Sequence, residues 1–350
     1  MTQLTHGGDW AGYRAQYGHD ALDFSANVSP LGLPQGVPNA IAAALPHADR
    51  YPDPLCRALR AKLAPHEGIP AESILCGNGA ADLIFRLAWA AKPRTALVTA
   101  PTFAEYAAAL ESAGCAVRRH FLQAEVDFAV TDSILSSITP EVDMVFLCQP
   151  NNPTGQLTPL PLVERILRRC EACGALLVVD ECFLDFLPDC DALTAKALLD
   201  SKNLLILKAF TKLYGMAGVR LGYCLCANTA LLEAMQAAGQ PWAVSSLAQA
   251  AGLAALDETA YVAQVRALIA QQRPRLTAGL RALGLRVLDG RANYLLFQGP
   301  ETLGDALRQW GVVLRSCSNY PGLDGSWYRT AVRTGPENDE LLKTLAEVLA

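Results

Sequence analysis

Short apolar runs recur along the first two-thirds of this chain, near residues 73–76, 96–99, 142–148, 176–179 and 204–207, with amphipathic stretches between them. The runs are nearly continuous in apolar residues instead of alternating, which is what a strand buried on both faces requires. Helical patterns over 83–91, 103–113 and 161–173, and a further strand near 117–121, complete the alternation. Strand and helix in turn describe an α/β fold with a mostly parallel sheet flanked by helices. In such a sheet the chemistry collects at the carboxyl ends of the strands.

After residue 240 the pattern changes to long helices (261–283 and a last one over 337–349), with short strands near 294–297 and 312–315. A chain of 350 residues suits one large and one small domain. The expected division is an N-terminal arm over 1–45, a large domain over 46–245 and a small α+β domain over 246–350. A net charge of −5 without a basic cluster argues against a nucleic-acid partner. Eleven cysteines lie scattered, several inside apolar runs (Cys148, Cys182, Cys224, Cys226), as reduced thiols of a cytoplasmic protein would. Cys170 and Cys173 share a helical pattern, and no second pair or flanking histidine completes a metal site. No signal pattern opens the chain and no apolar run reaches membrane-spanning length, so the expectation is a cytoplasmic protein without a membrane partner.

The strand ends carry the informative residues. Lys212 stands where the 204–207 run gives out, inside Lys208-Ala-Phe-Thr-Lys-Leu-Tyr-Gly-Met-Ala-Gly-Val-Arg-Leu-Gly-Tyr223. A lysine in an apolar crease beside cations and aromatics can lose its proton, and a neutral amine condenses with an aldehyde. Arg220, eight residues on, can grip a phosphate with two N–H groups. A phosphorylated aldehyde held as an imine describes pyridoxal 5′-phosphate; a charged loop between two strands would show the same residues. Asp180 follows Leu-Leu-Val-Val and needs a cationic or N–H partner at a buried strand end. A protonated pyridine nitrogen and the cap of a following helix both meet that need. Gly77-Asn78-Gly79-Ala80-Ala81-Asp82 reads as strand, turn and helix N-terminus, a geometry that receives phosphate on free N–H groups.

Two pieces of the arm stand out, His6-Gly7-Gly8 and the stretch from Asp23 through Asn27 to Gly32. Glycine lets the backbone approach a ligand, and Asn27 ahead of a proline turn offers donors to a carboxylate. On residues alone His6 reads as part of an exposed tail. The small domain contributes Arg315 and Arg333; the latter follows a short apolar strand, where a carboxylate grip and a surface ion pair are both open.

Taken in order, these residues resemble the fold-type I pyridoxal 5′-phosphate enzymes of the class I and II aminotransferase family over nearly the whole chain. The resemblance implies the aspartate aminotransferase-like fold, with Lys212 as the imine-forming lysine and Asp180 paired to the pyridine nitrogen. It implies Asn152 on the 3′ oxygen and Phe103 stacked on the ring. Gly79, Ala80, Ala81, Thr211 and Arg220 would hold the cofactor phosphate, and Tyr51 would reach the cofactor of the other subunit in a homodimer. Arg333 would bind the substrate α-carboxylate.

Within the family the likeness leans to the threonine-phosphate decarboxylases of cobalamin biosynthesis. It is carried by His6-Gly7-Gly8, Asp23-Phe24-Ser25-Ala26-Asn27, Pro241-Trp242-Ala243-Val244, Arg291-Ala292-Asn293-Tyr294-Leu295-Leu296 and the block Arg315 to Asp324. Phe183 also fits, since related aminotransferases carry a tyrosine three residues past the aspartate. That likeness implies a small phosphorylated amino acid as substrate, with His6, Gly7, Gly8, Asn27 and Arg315 around its phosphate. A histidinol-phosphate aminotransferase, a phosphoserine decarboxylase and a cofactor-binding regulatory protein are the alternatives. Ala209 departs from the pattern, because many relatives place a phosphate-binding serine there; the load then falls on Arg220 and the helix N-terminus.

Overall fold

The computed structural model describes residues 6–350. Seven strands form the central sheet: β1 (Ile74–Gly77), β2 (Thr95–Ala100), β3 (Ala116–Phe121), β4 (Met144–Cys148), β5 (Leu176–Asp180), β6 (Leu204–Ala209) and β7 (Gly222–Cys226). Their spatial order is β1-β7-β6-β5-β4-β2-β3. Six strands run one way; β7 pairs antiparallel with both β1 and β6. Alternate residues supply opposite faces. Val145, Leu147, Leu177, Val179 and Ile206 enter one apolar cluster, while Met144, Phe146, Val178, Leu205 and Leu207 enter the other. Each such side chain contributes on the order of 1.5–3 kcal/mol by leaving water, which is why these strands carry apolar residues on both faces.

Helices cross over between the strands, among them α2 (Gly79–Ala91), α3 (Glu105–Ser112) and α4 (Leu160–Cys173). Helix α2 starts four residues before its apolar period does. Its first turn is Gly-Ala-Ala-Asp, which carries no pattern, and Asp82 Oδ2 accepts the Asn78 N–H at 2.8 Å to close the turn. The arm shows no helical period, yet α1 spans Trp10–Tyr17, between an Asp9 side chain that accepts from Gly12 N–H and a left-handed Gly18. Only Tyr13 of α1 is buried, its hydroxyl bonded to the Arg308 carbonyl, so one anchor replaces an apolar face.

A smaller antiparallel sheet of order β10-β11-β9-β8 uses β8 (Arg286–Val287), β9 (Tyr294–Gln298), β10 (Arg315–Ser316) and β11 (Trp327–Ala331). Its strands pack with α5 (Thr259–Ala282), and α5 in turn packs with α6 (Gly335–Leu349). The strand expected over 312–315 divides: Val312–Val313 pairs with Leu22–Asp23 of the arm, while Arg315 turns to pair with β11. The arm is thereby tied to the small sheet beside the strand ends. No described helix is long and apolar enough to cross a membrane.

Candidate active site

The carboxyl ends of β4, β5 and β6 and the start of α2 surround a cavity of about 110 Å³, lined by Ala80, Ala81, Phe103, Asn152, Asp180, Phe183, Thr211, Lys212 and Arg220 among others. A wider cavity of about 360 Å³ shares Ala81, Phe103, Asn152, Phe183, Lys212 and Arg220, and adds His6, Gly7, Asn27, Glu105, Arg315 and Arg329. In-register pairing sets Asp180 between Cys148 and Leu207, so three strand ends converge on one spot.

Two lysines four residues apart divide the chemistry. Lys208 is 3% exposed on β6, and its Nζ lies 2.7 Å from Asp185 and 3.9 Å from Glu181. Burial would strip its proton, but Asp185, Glu67 and Glu181 outweigh burial and raise its pKa. Lys212 sits on the single turn Phe210–Leu213 and opens on the cavity. Burial lowers its pKa, Arg329 and Arg220 push the same way, and Cys182 and Asp180 oppose them without prevailing. Lys212 is thus the lysine prepared to act as an amine.

Asp180 is 5% exposed and both of its oxygens are occupied: Oδ2 accepts from the Tyr106 hydroxyl at 2.6 Å, Oδ1 from the Cys182 N–H at 3.0 Å. Neighbouring thiols are inert, since burial and Asp180 push Cys148 up to about 12 and raise Cys182 as well. Phe183 lies beneath Lys212, with Nζ 5.4 Å from the ring centroid, and packs edge-on against Tyr294.

The phosphate end is built from backbone. Arg220 has φ +63° and folds over the α2 N-terminus; its Nη1 donates to the Ala217 carbonyl at 3.2 Å. A Cβ on Gly79 would stand 2.6 Å from Arg220 Nη2, and one on Gly222 would stand 2.7 Å from the Ala80 nitrogen. Glycine at both places lets β7, Arg220 and the free N–H groups of α2 converge, and Thr211 borders the same cavity. Pyridoxal 5′-phosphate fits these residues: an anion cradle, an amine of lowered pKa and a carboxylate lie around one cavity.

The arm brings His6, Gly7 and Asn27 to the wider cavity, whereas Gly8 faces a neighbouring groove and donates its N–H to Ser25 Oγ at 2.8 Å. His6 Nε2 lies 2.5 Å from Glu105 Oε1. Asn27 is 3% exposed, and among the described residues neither its amide nitrogen nor its oxygen has a partner. Arg315 bonds Asn319 Oδ1 at 2.7 Å and lies over Tyr320. Tyr51 is 79% exposed, outside its own chain's cavity, and stacks on Trp242 with centroids 4.3 Å apart.

Arg333 requires a correction, because the structure does not bring it to the cavity. Its Nε and Nη2 bind Glu337 at 3.0 and 2.6 Å, and Nη1 donates to the Asp23 carbonyl at 3.0 Å. Strand β11 ends at Ala331, and Arg333 belongs to the turn whose Thr334–Glu337 capping box opens α6. The arginine at the cavity is Arg329, 6% exposed in the middle of β11. It donates to Asn152 Oδ1 at 2.5 Å and to the Ser25 carbonyl at 2.7 Å. A charged residue inside an apolar strand was the available signal, and it was outweighed by the strand-end position of Arg333.

Comparison with known proteins agrees with this geometry. The profile of the aminotransferase class I and II family matches residues 19–346. The chain belongs to that family. Threonine-phosphate decarboxylase of Salmonella typhimurium is 40% identical over 332 residues, covering 94% of this chain and 91% of the relative. Histidinol-phosphate aminotransferase of Desulfitobacterium hafniense is 34% identical over 345 residues, covering 94% and 92%. Among solved structures, the histidinol-phosphate aminotransferase from Clostridium acetobutylicum superposes with a TM-score of 0.87 at 28% identity, covering 93% of this chain and 98% of that one. The protein is a pyridoxal 5′-phosphate-dependent enzyme of the aminotransferase family with the aspartate aminotransferase-like fold.

Proposed function

We propose that this enzyme decarboxylates L-threonine O-3-phosphate to (R)-1-aminopropan-2-yl phosphate, a step in making the cobalamin side chain. The observation that carries the reading is the pairing of Arg315 with Arg329 across β10 and β11. Residues opposite each other in an antiparallel pair lie about 5 Å apart and point to one face. Two arginines on one face of neighbouring strands, both lining the wider cavity, suit a substrate with two anions on neighbouring carbons, and the Asn27 amide, without a partner among the described residues, borders the same cavity. The 40% identity to a threonine-phosphate decarboxylase supports the same choice.

In this reading Arg329 holds the α-carboxylate and Arg315, His6, Gly7 and Asn27 hold the substrate phosphate. Gly79, Ala80, Ala81, Thr211 and Arg220 hold the cofactor phosphate, Phe103 covers the ring, and Asn152 meets its 3′ oxygen. The bound cofactor supplies an electron sink for a bond at the substrate α-carbon. Asp180 keeps that sink effective by facing the pyridine nitrogen. Lys212 would anchor the cofactor between turnovers, and Lys212 or water would return a proton to the substrate α-carbon. Arg329 and Arg315 would orient the substrate in the cavity by holding its two anionic groups at once. Phe183 offers no hydroxyl to the 3′ oxygen, leaving Asn152 alone there. Tyr51 serves the partner site of a homodimer.

The test is carbon dioxide release from phosphothreonine, phosphoserine and histidinol phosphate, each with and without 2-oxoglutarate. Carbon dioxide from phosphothreonine without the keto acid is the expected result. Phosphoserine lacks one methyl, which is worth about 1–3 kcal/mol, so it should trail by roughly 10- to 200-fold. Glutamate formed from histidinol phosphate with no carbon dioxide from phosphothreonine would overturn the reading in favour of a transaminase.

A further inference from the structure

Tyr106 is absent from the ring of residues expected around the cofactor, yet it makes the shortest hydrogen bond to Asp180, 2.6 Å from hydroxyl to Oδ2. The residue sits three places after Phe103, in the first turn of α3, and is fully buried. Its ring stacks on Phe146 with centroids 4.7 Å apart and planes 19° apart, and meets Phe103 edge-on at 5.5 Å. Wedged between two aromatic side chains, the phenol cannot turn away. We infer that Tyr106 is a positioning residue that fixes the plane of the Asp180 carboxylate toward the cofactor's ring nitrogen.

A carboxylate at the end of a strand turns about its Cβ–Cγ bond unless both oxygens are held. The Cys182 N–H holds Oδ1 and the Tyr106 hydroxyl holds Oδ2, which leaves the outward lone pairs for the ring nitrogen. The donor is secure: burial, then the charge of Asp180, pushes the Tyr106 phenol well above its ordinary range, so it keeps its proton. Satisfying a buried phenol would explain the contact equally if Asp180 were only a convenient acceptor. The two cases separate at the ring nitrogen. A positive charge held there disfavours a second one on the Lys212–cofactor linkage, so a loosened Asp180 raises the pH at which that linkage loses its proton.

The experiment is a pH titration of the near-visible absorbance of the holoenzyme, with Tyr106→Phe, Asp180→Asn and the double variant alongside. Phenylalanine keeps both aromatic contacts and removes only the hydroxyl. In Tyr106→Phe the midpoint should rise by about one unit and the cofactor should dissociate about tenfold more readily, the scale of a hydrogen bond to a charged group. In the Asp180→Asn background the same change should leave the midpoint where Asp180→Asn alone puts it. Weaker cofactor binding with an unmoved or lowered midpoint would reduce Tyr106 to packing, as would equal shifts in both backgrounds. If Tyr106→Phe releases the cofactor on dilution, the titration is repeated in excess pyridoxal 5′-phosphate by induced circular dichroism, which only bound cofactor shows; an unmoved midpoint there would also overturn the inference. No substrate enters these measurements, so they stand or fall apart from the reaction proposed above.

Discussion

Arg329 Nη1 donates to Asn152 Oδ1 across 2.5 Å, joining the small sheet to the loop after β4 at the mouth of the cavity. The bond brings a buried cation and the proposed partner of the cofactor's 3′ oxygen into one unit. Among the described residues Arg329 Nε has no partner of its own, a donor left over in a buried place.

Replacing this arginine should therefore separate the two candidates for the carboxylate grip. Arg329→Gln is expected to raise the KM for phosphothreonine by about 100-fold, within the roughly 2–5 kcal/mol that follows loss of one partner from a buried charged pair. Arg333→Gln should leave KM within about twofold and cost about 0.5 kcal/mol of stability, because its partner Glu337 forms a partly exposed i,i+4 pair. Steady-state kinetics and denaturant melts on both variants check the pair of outcomes.

Lys212 and Lys208 make opposite predictions under reduction. Borohydride treatment of the holoenzyme followed by peptide mapping should place the cofactor on Lys212 and none on Lys208, whose Nζ is held by Asp185. Lys212→Ala should lose the near-visible band and at least about 10³-fold of turnover, since it removes the covalent attachment and a proton carrier together.

Subunit exchange tests the expected homodimer. Tyr51→Ala and Lys212→Ala should each be nearly inactive alone. If Tyr51 serves the partner's cofactor, a refolded mixture should recover about a quarter of parental activity, because half the dimers are hybrids and each hybrid has one intact site. A mixture as inactive as its components would mean that Tyr51 acts in its own chain's site, and full activity of Tyr51→Ala alone would return it to the surface.

The pH dependence of stability should carry the mark of Glu181. This residue is fully buried, bonded by Thr194 Oγ1 at 2.7 Å and Ala195 N–H at 2.7 Å. Burial raises its pKa to about 7 from an ordinary 4.5, with Lys208 opposing. The folded state therefore keeps a proton that the unfolded state has lost, and stability falls as pH rises through that window. Glu181→Gln removes the titration, so relative to the parent it should gain up to roughly 3 kcal/mol between about pH 4 and pH 8. Denaturant midpoints of the cofactor-free protein at the two pH values read the difference.

The sequence by itself determined the sheet. Residues 176–179 and 204–207 are apolar because both faces of their strands are covered. It also placed Asp180, Asn152 and Lys212 at strand ends, where periodicity stops and a polar residue must find a partner. Tertiary structure decided between Arg329 and Arg333. Strand alternation places residues 329 and 333 on one face; only the turn into α6 takes Arg333 to Glu337 while β10 pairs Arg315 beside Arg329. The same holds for Tyr106, whose helical position gives no sign of the Asp180 oxygen it meets 74 residues away. Local pattern reports which face a residue takes, but a partner across the fold is chosen by packing, and packing is not written in any short stretch of chain.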